Sequence, residues 1–266
     1  IIKFGGTSLQ SYSAVKRAAR IIRARVEENP VVVVSAMGKT TDNLVALYAA
    51  LCKGERERAE TLIQEIFSFH ENLAHECDIL KEPEIQHILK ETRDTLAATL
   101  SAPLEANRNL LHDSVVSCGE YLSATIVSGF LRSQGIKGYL ADSRNWLMTD
   151  SNHTCAAPLV RVSTPLARQY LGGLVTENYV PVTQGFVGSD KNLHTTTLGR
   201  GGSDYSATLA GAMLAAERIE IWSDVDGVLT ADPTIIPSAK RIQRMTFSEA
   251  AELAYTGAGI LHPRTV

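Results

Sequence analysis

The sequence predicts an α/β fold built on a parallel sheet. Short apolar, β-rich runs alternate along the chain with stretches of helical periodicity, the pattern expected of strand–helix–strand units. One run, Val31 to Ser35, is almost continuously β-branched, as a strand covered on both faces should be. Glycine-rich turns follow strand-like runs, at the carboxyl ends of strands where open α/β sheets bind their ligands.

Taken in order, Ile1 to Phe4 is a strand running into the first glycine turn, and Ser13 to Val26 carries Val15, Ala18, Ile22 and Val26 at helical spacing. Val31 to Ser35 is the second strand, and Thr41 to Leu51 returns to helix. Residues 55–112 differ from their surroundings. Leu62, Ile66, Phe69 and Leu73 fall on one helical stripe, and Ile85, Ile88, Leu89, Leu96 and Leu100 on another, with Pro83 and Pro103 as punctuation. This segment reads as a helical insertion packed on the sheet, either scaffold or lid. Val115 to Cys118 is a short buried strand or the start of the next helix. Gly138 to Ala141, Pro181 to Val187 and Ile219 to Ser223 complete the expected strands.

At 266 residues, with 44% apolar and 21% charged side chains, the chain can bury a substantial core. A net charge of −3 gives no electrostatic footprint for nucleic acid or an anionic membrane. No run of 18 apolar residues exists to span a bilayer. Cys52, Cys77, Cys118 and Cys155 are far apart and form no C-x-x-C pair, so the expectation is a cytoplasmic protein with reduced, mostly buried thiols.

The most informative stretch is residues 195–214. A turn from Gly199 to Gly202 leads at once into Asp204 and a small-residue helix, where bare amides at a helix start form an anion site. Arg200 adds a planar fork suited to a carboxylate or phosphate. Lys3-Phe4-Gly5-Gly6-Thr7-Ser8 repeats the idea, with a lysine placed to neutralise charge on a transferring phosphoryl group. Asp204 beside a phosphate loop would repel its ligand unless a cation lies between, which suits it to organising Lys3 or a metal, besides complementing the helix dipole. Ser223 and Asp224 end a strand at the position for nucleotide contact, within a turn signalled by Asp226-Gly227. The loops are not a Walker A motif, and no H-R-D or D-F-G element is present. His70, His75 and Cys77 match no zinc spacing and read as ordinary helix residues. His194 and His262 have no identifiable partner.

Together these segments resemble the aspartokinases of the amino acid kinase family, over essentially the whole chain. The landmarks are Lys3 to Ser8, Val33-Val34-Ser35-Ala36-Met37, Ser117-Cys118-Gly119-Glu120, Thr183-Gln184-Gly185-Phe186, Thr195 to Asp204, Trp222 to Gly227 and Leu261-His262-Pro263. The resemblance implies a three-layer sandwich of the amino acid kinase type with a mostly parallel central sheet and a helical insertion at about 55–112. It implies one kinase domain in two lobes, amino-acid-binding at 1–190 and nucleotide-binding at 191–266, without the regulatory ACT domains into which relatives continue. It implies transfer of the ATP γ-phosphoryl group to the side-chain carboxylate of L-aspartate, in the synthesis of lysine, threonine and methionine. Lys3 and Asp204 would be catalytic. Thr41, Glu120, Phe186, Arg200 and Ser203 would bind the amino acid, with Arg200 on its α-carboxylate and Glu120 on its ammonium. The nucleotide would meet Lys3, Phe4, Gly5, Gly6, Ser8, Gly201, Gly202, Ser223, Asp224 and Leu229. ATP and Mg²⁺ are the implied cofactors, the ion held through the phosphates rather than by a direct protein ligand. The full-length protein would be a homo-oligomer with no nucleic-acid or membrane partner.

Three positions depart from the family pattern, all on the nucleotide side. Leu229 replaces a tyrosine, Thr234 the arginine of Asp-Pro-Arg, and Gly259 a lysine. Losing two charge-assisted contacts of about 1.5–3 kcal/mol each would weaken ATP binding by about two to four orders of magnitude. Two other readings follow: a non-catalytic, amino-acid-binding regulatory member, and a kinase of the same fold with a different acceptor.

Overall fold

The computed structural model describes the chain apart from residues 102–106, 226, 233, 257–264 and 266. Pro103, Asp226, Pro233, Gly259 and the Leu261-His262-Pro263 landmark therefore lie outside the described residues. Its strands are β1 (Ile2–Phe4), β2 (Val32–Val34), β3 (Gly138–Ala141), β4 (Val180–Gln184), β5 (Val187–Ser189), β6 (Thr195–Thr197) and β7 (Glu220–Trp222). Five form one all-parallel sheet in the order β3-β4-β2-β1-β7. Ile2 lies opposite both Val32 and Glu220, and Val32 opposite Val182. β5 and β6 make a separate antiparallel pair, Val187 opposite Thr197.

The helices are α1 (Tyr12–Arg23), α2 (Thr40–Lys53), α3 (Arg56–Glu76), α4 (Pro83–Thr99), α5 (Arg108–Val116), α6 (Cys118–Ser133), α7 (Val160–Ala167), α8 (Gly173–Thr176), α9 (Gly202–Leu214) and α10 (Phe247–Tyr255). Strand side chains alternate between two faces, and each face has its own apolar cluster. Ile2, Phe4, Val32, Val34 and Val182 join Val15 and Ile22 of α1 and Ile126 and Phe130 of α6. Val31 and Ala141 join Ala167 of α7 and Leu209, Ala210 and Met213 of α9 on the other face. The result is the expected three-layer arrangement.

Several local details differ from the sequence expectation. Val26 leaves the first helix for a separate 3₁₀ turn, Val26–Glu28, closed by Asn29 in the left-handed region. Val115 to Cys118 is the junction of α5 and α6, not a strand. Pro181 to Val187 is two strands, β4 and β5, broken at Phe186, whose φ is 68°. Thr195 to Thr197, three β-branched residues ahead of the glycine turn, pairs as β6 instead of belonging to the loop.

The insertion packs on helices rather than on the sheet. α3 rests on α2 and α4 rests on α6, while α6 covers β2, β3 and β4. α6 is buried nearly all round, with every residue from Leu122 to Leu131 buried, as a helix sandwiched between layers must be. Residues Arg108–Ser133 are long and apolar enough to cross a membrane, yet 89% of the most apolar stretch is buried inside the protein.

His70 faces into the core from α3, fully buried, with Nδ1 2.7 Å from the Ile66 carbonyl and Nε2 without a partner among the described residues. It is a structural residue, as its spacing suggested. Burial pushes its pKa down to about 4, while the Ile66 carbonyl opposes that shift. The folded chain therefore keeps His70 neutral where the unfolded chain protonates it. Its contribution is intact above about pH 6.5 and is lost as pH falls toward 4, at a cost of roughly 1–3 kcal/mol. Urea unfolding from pH 7 to pH 4.5 should reveal that loss, and His70→Leu should flatten the profile; an unchanged profile would refute the assignment.

Candidate active site

Alternation along β1 sends Ile2 and Phe4 into one core and leaves Lys3 facing the other, toward the start of α9. Lys3 Nζ meets Asp204 Oδ1 there at 2.5 Å, with only 9% and 17% of the two side chains exposed. Asp204 stands in the first turn of α9, where the helix dipole favours a carboxylate. The helix begins at Gly201, whose φ of 70° is left-handed, so the chain can turn sharply from β6 into α9.

This pair forms one wall of a cavity of about 330 Å³ lined also by Ser35, Thr41, Glu120, Phe186, Gly199, Arg200, Gly201, Gly202 and Ser203. Phe186 holds its left-handed backbone because its N–H donates to Ser206 Oγ at 2.9 Å and its carbonyl accepts from Leu198 N–H at 2.9 Å. A bulky residue in that region stores about 1–3 kcal/mol, a strain commonly found at binding sites.

Glu120 sits in the first turn of α6, 3% exposed, and its Oε2 has no partner among the described residues. Burial pushes its pKa up to about 8, against donation from the Ala36 and Glu120 amides and the nearby charge of Lys3. An orphaned carboxylate oxygen in a cavity calls for a cation. Arg200 lies exposed at the same cavity and forms no ion pair with any described residue, leaving a guanidinium free for an anionic group.

Nine of the residues expected at the site thus line one cavity: Lys3, Thr41, Glu120, Phe186, Arg200, Gly201, Gly202, Ser203 and Asp204. The others do not. Phe4 is buried in the core. Gly5 donates its N–H to the Trp222 carbonyl at 3.0 Å, and Ser8 Oγ approaches the same carbonyl at 3.5 Å, which places the first glycine turn against the end of β7. Gly6 packs so closely on the second strand's loop that a Cβ there would collide with the Ala36 carbonyl oxygen. Ser223 and Asp224 are exposed beyond β7, and Leu229 pairs by a single bridge with Arg241.

Gly199, the first residue of the expected anion-binding turn, also lines the cavity, whereas Ser35 and the support behind the second loop have no counterpart in the sequence expectations. Asp113 of α5 is fully buried and accepts from Thr197 N–H and Oγ1, from Thr154 N–H and, at 3.2 Å, has His153 Nδ1 beside it. These bonds fix β6 immediately before the glycine turn. No sequence signal marks Asp113: apart from the adjacent His112, whose Nδ1 lies 3.1 Å from its Oδ1, its partners are some 40 to 84 residues away. His194, left without a partner by the sequence, lies 3.5 Å from Asp190.

The whole chain, residues 1–266, matches the family model described as the amino acid kinase family. It is 37% identical over 267 residues to the lysine-sensitive aspartokinase 3 of Escherichia coli (strain K12), covering 100% of this chain and 58% of that protein. It is 37% identical over 268 residues to the chloroplastic aspartokinase 2 of Arabidopsis thaliana, covering 99% of this chain and 48% of that one. The fold superposes on the crystal structure of E. coli aspartokinase III in complex with aspartate and ADP with a TM-score of 0.89 at 34% identity, covering 99% of this chain and 57% of that one. The chain thus spans about half the length of the curated relatives it matches.

The Lys3–Asp204 pair makes a direct prediction. Removing either partner strands a largely buried charge, so Lys3→Met and Asp204→Asn should each cost about 3–5 kcal/mol in urea unfolding. The double variant Lys3→Met/Asp204→Asn should cost less than the two single losses added together. Additive losses would show that the two charges do not depend on each other.

Proposed function

The chain belongs to the amino acid kinase family, and from that premise we propose that it phosphorylates the side-chain carboxylate of L-aspartate with MgATP, giving 4-phospho-L-aspartate. The observation that carries this reading is the buried Oε2 of Glu120, without a partner among the described residues, in a cavity that also holds Lys3 and Arg200, which forms no ion pair with any of them. A free amino acid supplies an ammonium for Glu120 and an α-carboxylate for Arg200. The side-chain carboxylate is then directed toward Lys3 and the start of α9.

The acceptor carboxylate is already a nucleophile at neutral pH, so the site needs alignment and charge neutralisation rather than a general base. One carboxylate oxygen attacks the γ-phosphorus, the bond to the β,γ-bridging oxygen breaks, and ADP departs with that electron pair. Lys3 neutralises charge on the transferring group, and Asp204 holds the lysine in place. The Gly201 amide, just ahead of α9, is placed to donate to a phosphate oxygen, while the Gly202 amide is held by the Gly199 carbonyl at 3.0 Å. Mg²⁺ enters as part of the nucleotide substrate: of the two lining carboxylates, Asp204 is engaged with Lys3 and Glu120 is buried.

Two features weigh on the alternative readings. A kinase for an acceptor with a blocked amine has no use for Glu120, and a non-catalytic binder has no use for the Lys3–Asp204 pair. Weakened nucleotide recognition remains part of the proposal. Thr234 turns its N–H and hydroxyl to Asp232 Oδ1, at 2.8 and 2.6 Å, and offers no charge in place of the arginine. The reading also carries a cytoplasmic location, and a homo-oligomer for the full-length protein.

The test is acyl-phosphate formation from MgATP and L-aspartate, trapped as the hydroxamate with hydroxylamine. Signal should be present in the wild type and absent in Lys3→Ala; no wild-type signal at millimolar ATP would contradict the proposal. Glu120→Gln should raise KM for aspartate about 10–100-fold, the worth of one charge-assisted contact. It should also raise the melting temperature of the ligand-free chain near pH 7.5. Between pH 4.5 and 8 the unfolded chain loses the Glu120 proton that the folded chain retains, so the native carboxyl lowers stability as pH rises.

A further inference from the structure

The β5–β6 hairpin and the loop preceding α7 carry two histidines and a buried aspartate that phosphoryl transfer does not use. His153, Asp190 and His194 each offer a donor atom, and the three atoms lie within 4.8 Å of one another. We propose that these side chains bind one divalent transition-metal ion of the zinc class, with Asp113 acting on the far side of His153 to orient it.

The spacing of His194 and Asp190 is compatible with a shared ion. His194 Nδ1 and Asp190 Oδ2 are 3.5 Å apart, longer than an ordinary hydrogen bond. Two donors sharing a tetrahedral zinc, each about 2.0–2.1 Å from it, sit about 3.3–3.4 Å from each other. The rings of His153 and His194 are 6.4 Å apart and inclined at 49°, converging without stacking.

Support behind the donors has the form that metal sites use. His153 Nδ1 lies 3.2 Å from Asp113 Oδ2, which places the ring proton on that nitrogen and leaves the Nε2 lone pair outward. Asp190 is 1% exposed, and its orientation is fixed by Ser151 Oγ at 2.8 Å and by the Asn192 and His194 amides at 2.9 Å. Two imidazoles with one carboxylate select zinc, cobalt or nickel over the oxygen-seeking Mg²⁺ and Ca²⁺. The ion would therefore differ from the Mg²⁺ that arrives with ATP. Three protein donors leave a fourth position for water on the exposed side of His194.

The ligands also lie on the segments that brace the second glycine turn. Ala156 N–H donates to the Thr197 carbonyl at 2.8 Å, and the Thr154 carbonyl packs against Gly199. A bound ion would tie these two segments together and stabilise the folded chain in proportion to its occupancy.

The test uses the untagged, metal-stripped chain. Co²⁺ titration should give one equivalent with visible absorption bands of low-coordinate cobalt, and Zn²⁺ should displace it and raise the melting temperature. His194→Ala, at an exposed position, and His153→Ala should each weaken zinc at least about tenfold, measured by competition with a chromogenic chelator, and Asp113→Asn about 10–100-fold. His87→Ala, on the exposed face of α4, should leave binding unchanged. Absence of stoichiometric binding, or binding that survives in the His153→Ala/His194→Ala variant, would overturn the proposal.

Discussion

A lysine and an aspartate placed 2.5 Å apart with little water around them govern how this chain can be built. Either charge alone would be costly at that depth, so the strand that carries Lys3 and the helix that carries Asp204 must arrive together. Asp204 can be in place only if α9 starts beside the end of β1, and that requires the sharp turn through Gly201. Phe186, held in the left-handed region by Ser206 and Leu198, closes the same corner from the sheet side. Strain in one residue and glycine in another thus serve the placement of two charges.

The same cavity contains a second electrostatic problem that the chain does not solve alone. Glu120 is buried with one oxygen unsatisfied among the described residues, and burial pushes its pKa up to about 8. Arg200 waits at the cavity without a described ion-pair partner. An amino acid carries complementary charges for both, so binding completes a set of interactions that the ligand-free protein lacks. That is also a source of selectivity, because a ligand without the ammonium leaves Glu120 uncompensated.

What could be read from the sequence was whatever has a local or periodic origin. The β-branched run at Val31 to Val34, the helical stripes through Ile66 and Ile88, and the glycine turn ahead of Asp204 all express short-range rules, and each is found in place. The grouping of Lys3, Thr41, Glu120, Phe186 and Arg200 in one cavity came from family resemblance rather than from periodicity. Features set by distant partners were not legible. Asp113 gathers Thr154 and Thr197 from two other segments, and Asp190 meets His194 only because a turn folds the chain back on itself. The insertion was expected on the sheet because its stripes are apolar. Only the three-dimensional position of α6, itself buried on nearly every side, reveals what those stripes cover.

The central claim is that Glu120 exchanges a proton for the ammonium of an amino acid. Isothermal titration of L-aspartate at pH 7, in buffers of differing ionisation enthalpy, measures that exchange directly. Release of close to one proton per aspartate bound, falling toward zero above about pH 8 and absent in Glu120→Gln, is the result expected. A binding heat independent of the buffer, with aspartate still bound tightly, would contradict it.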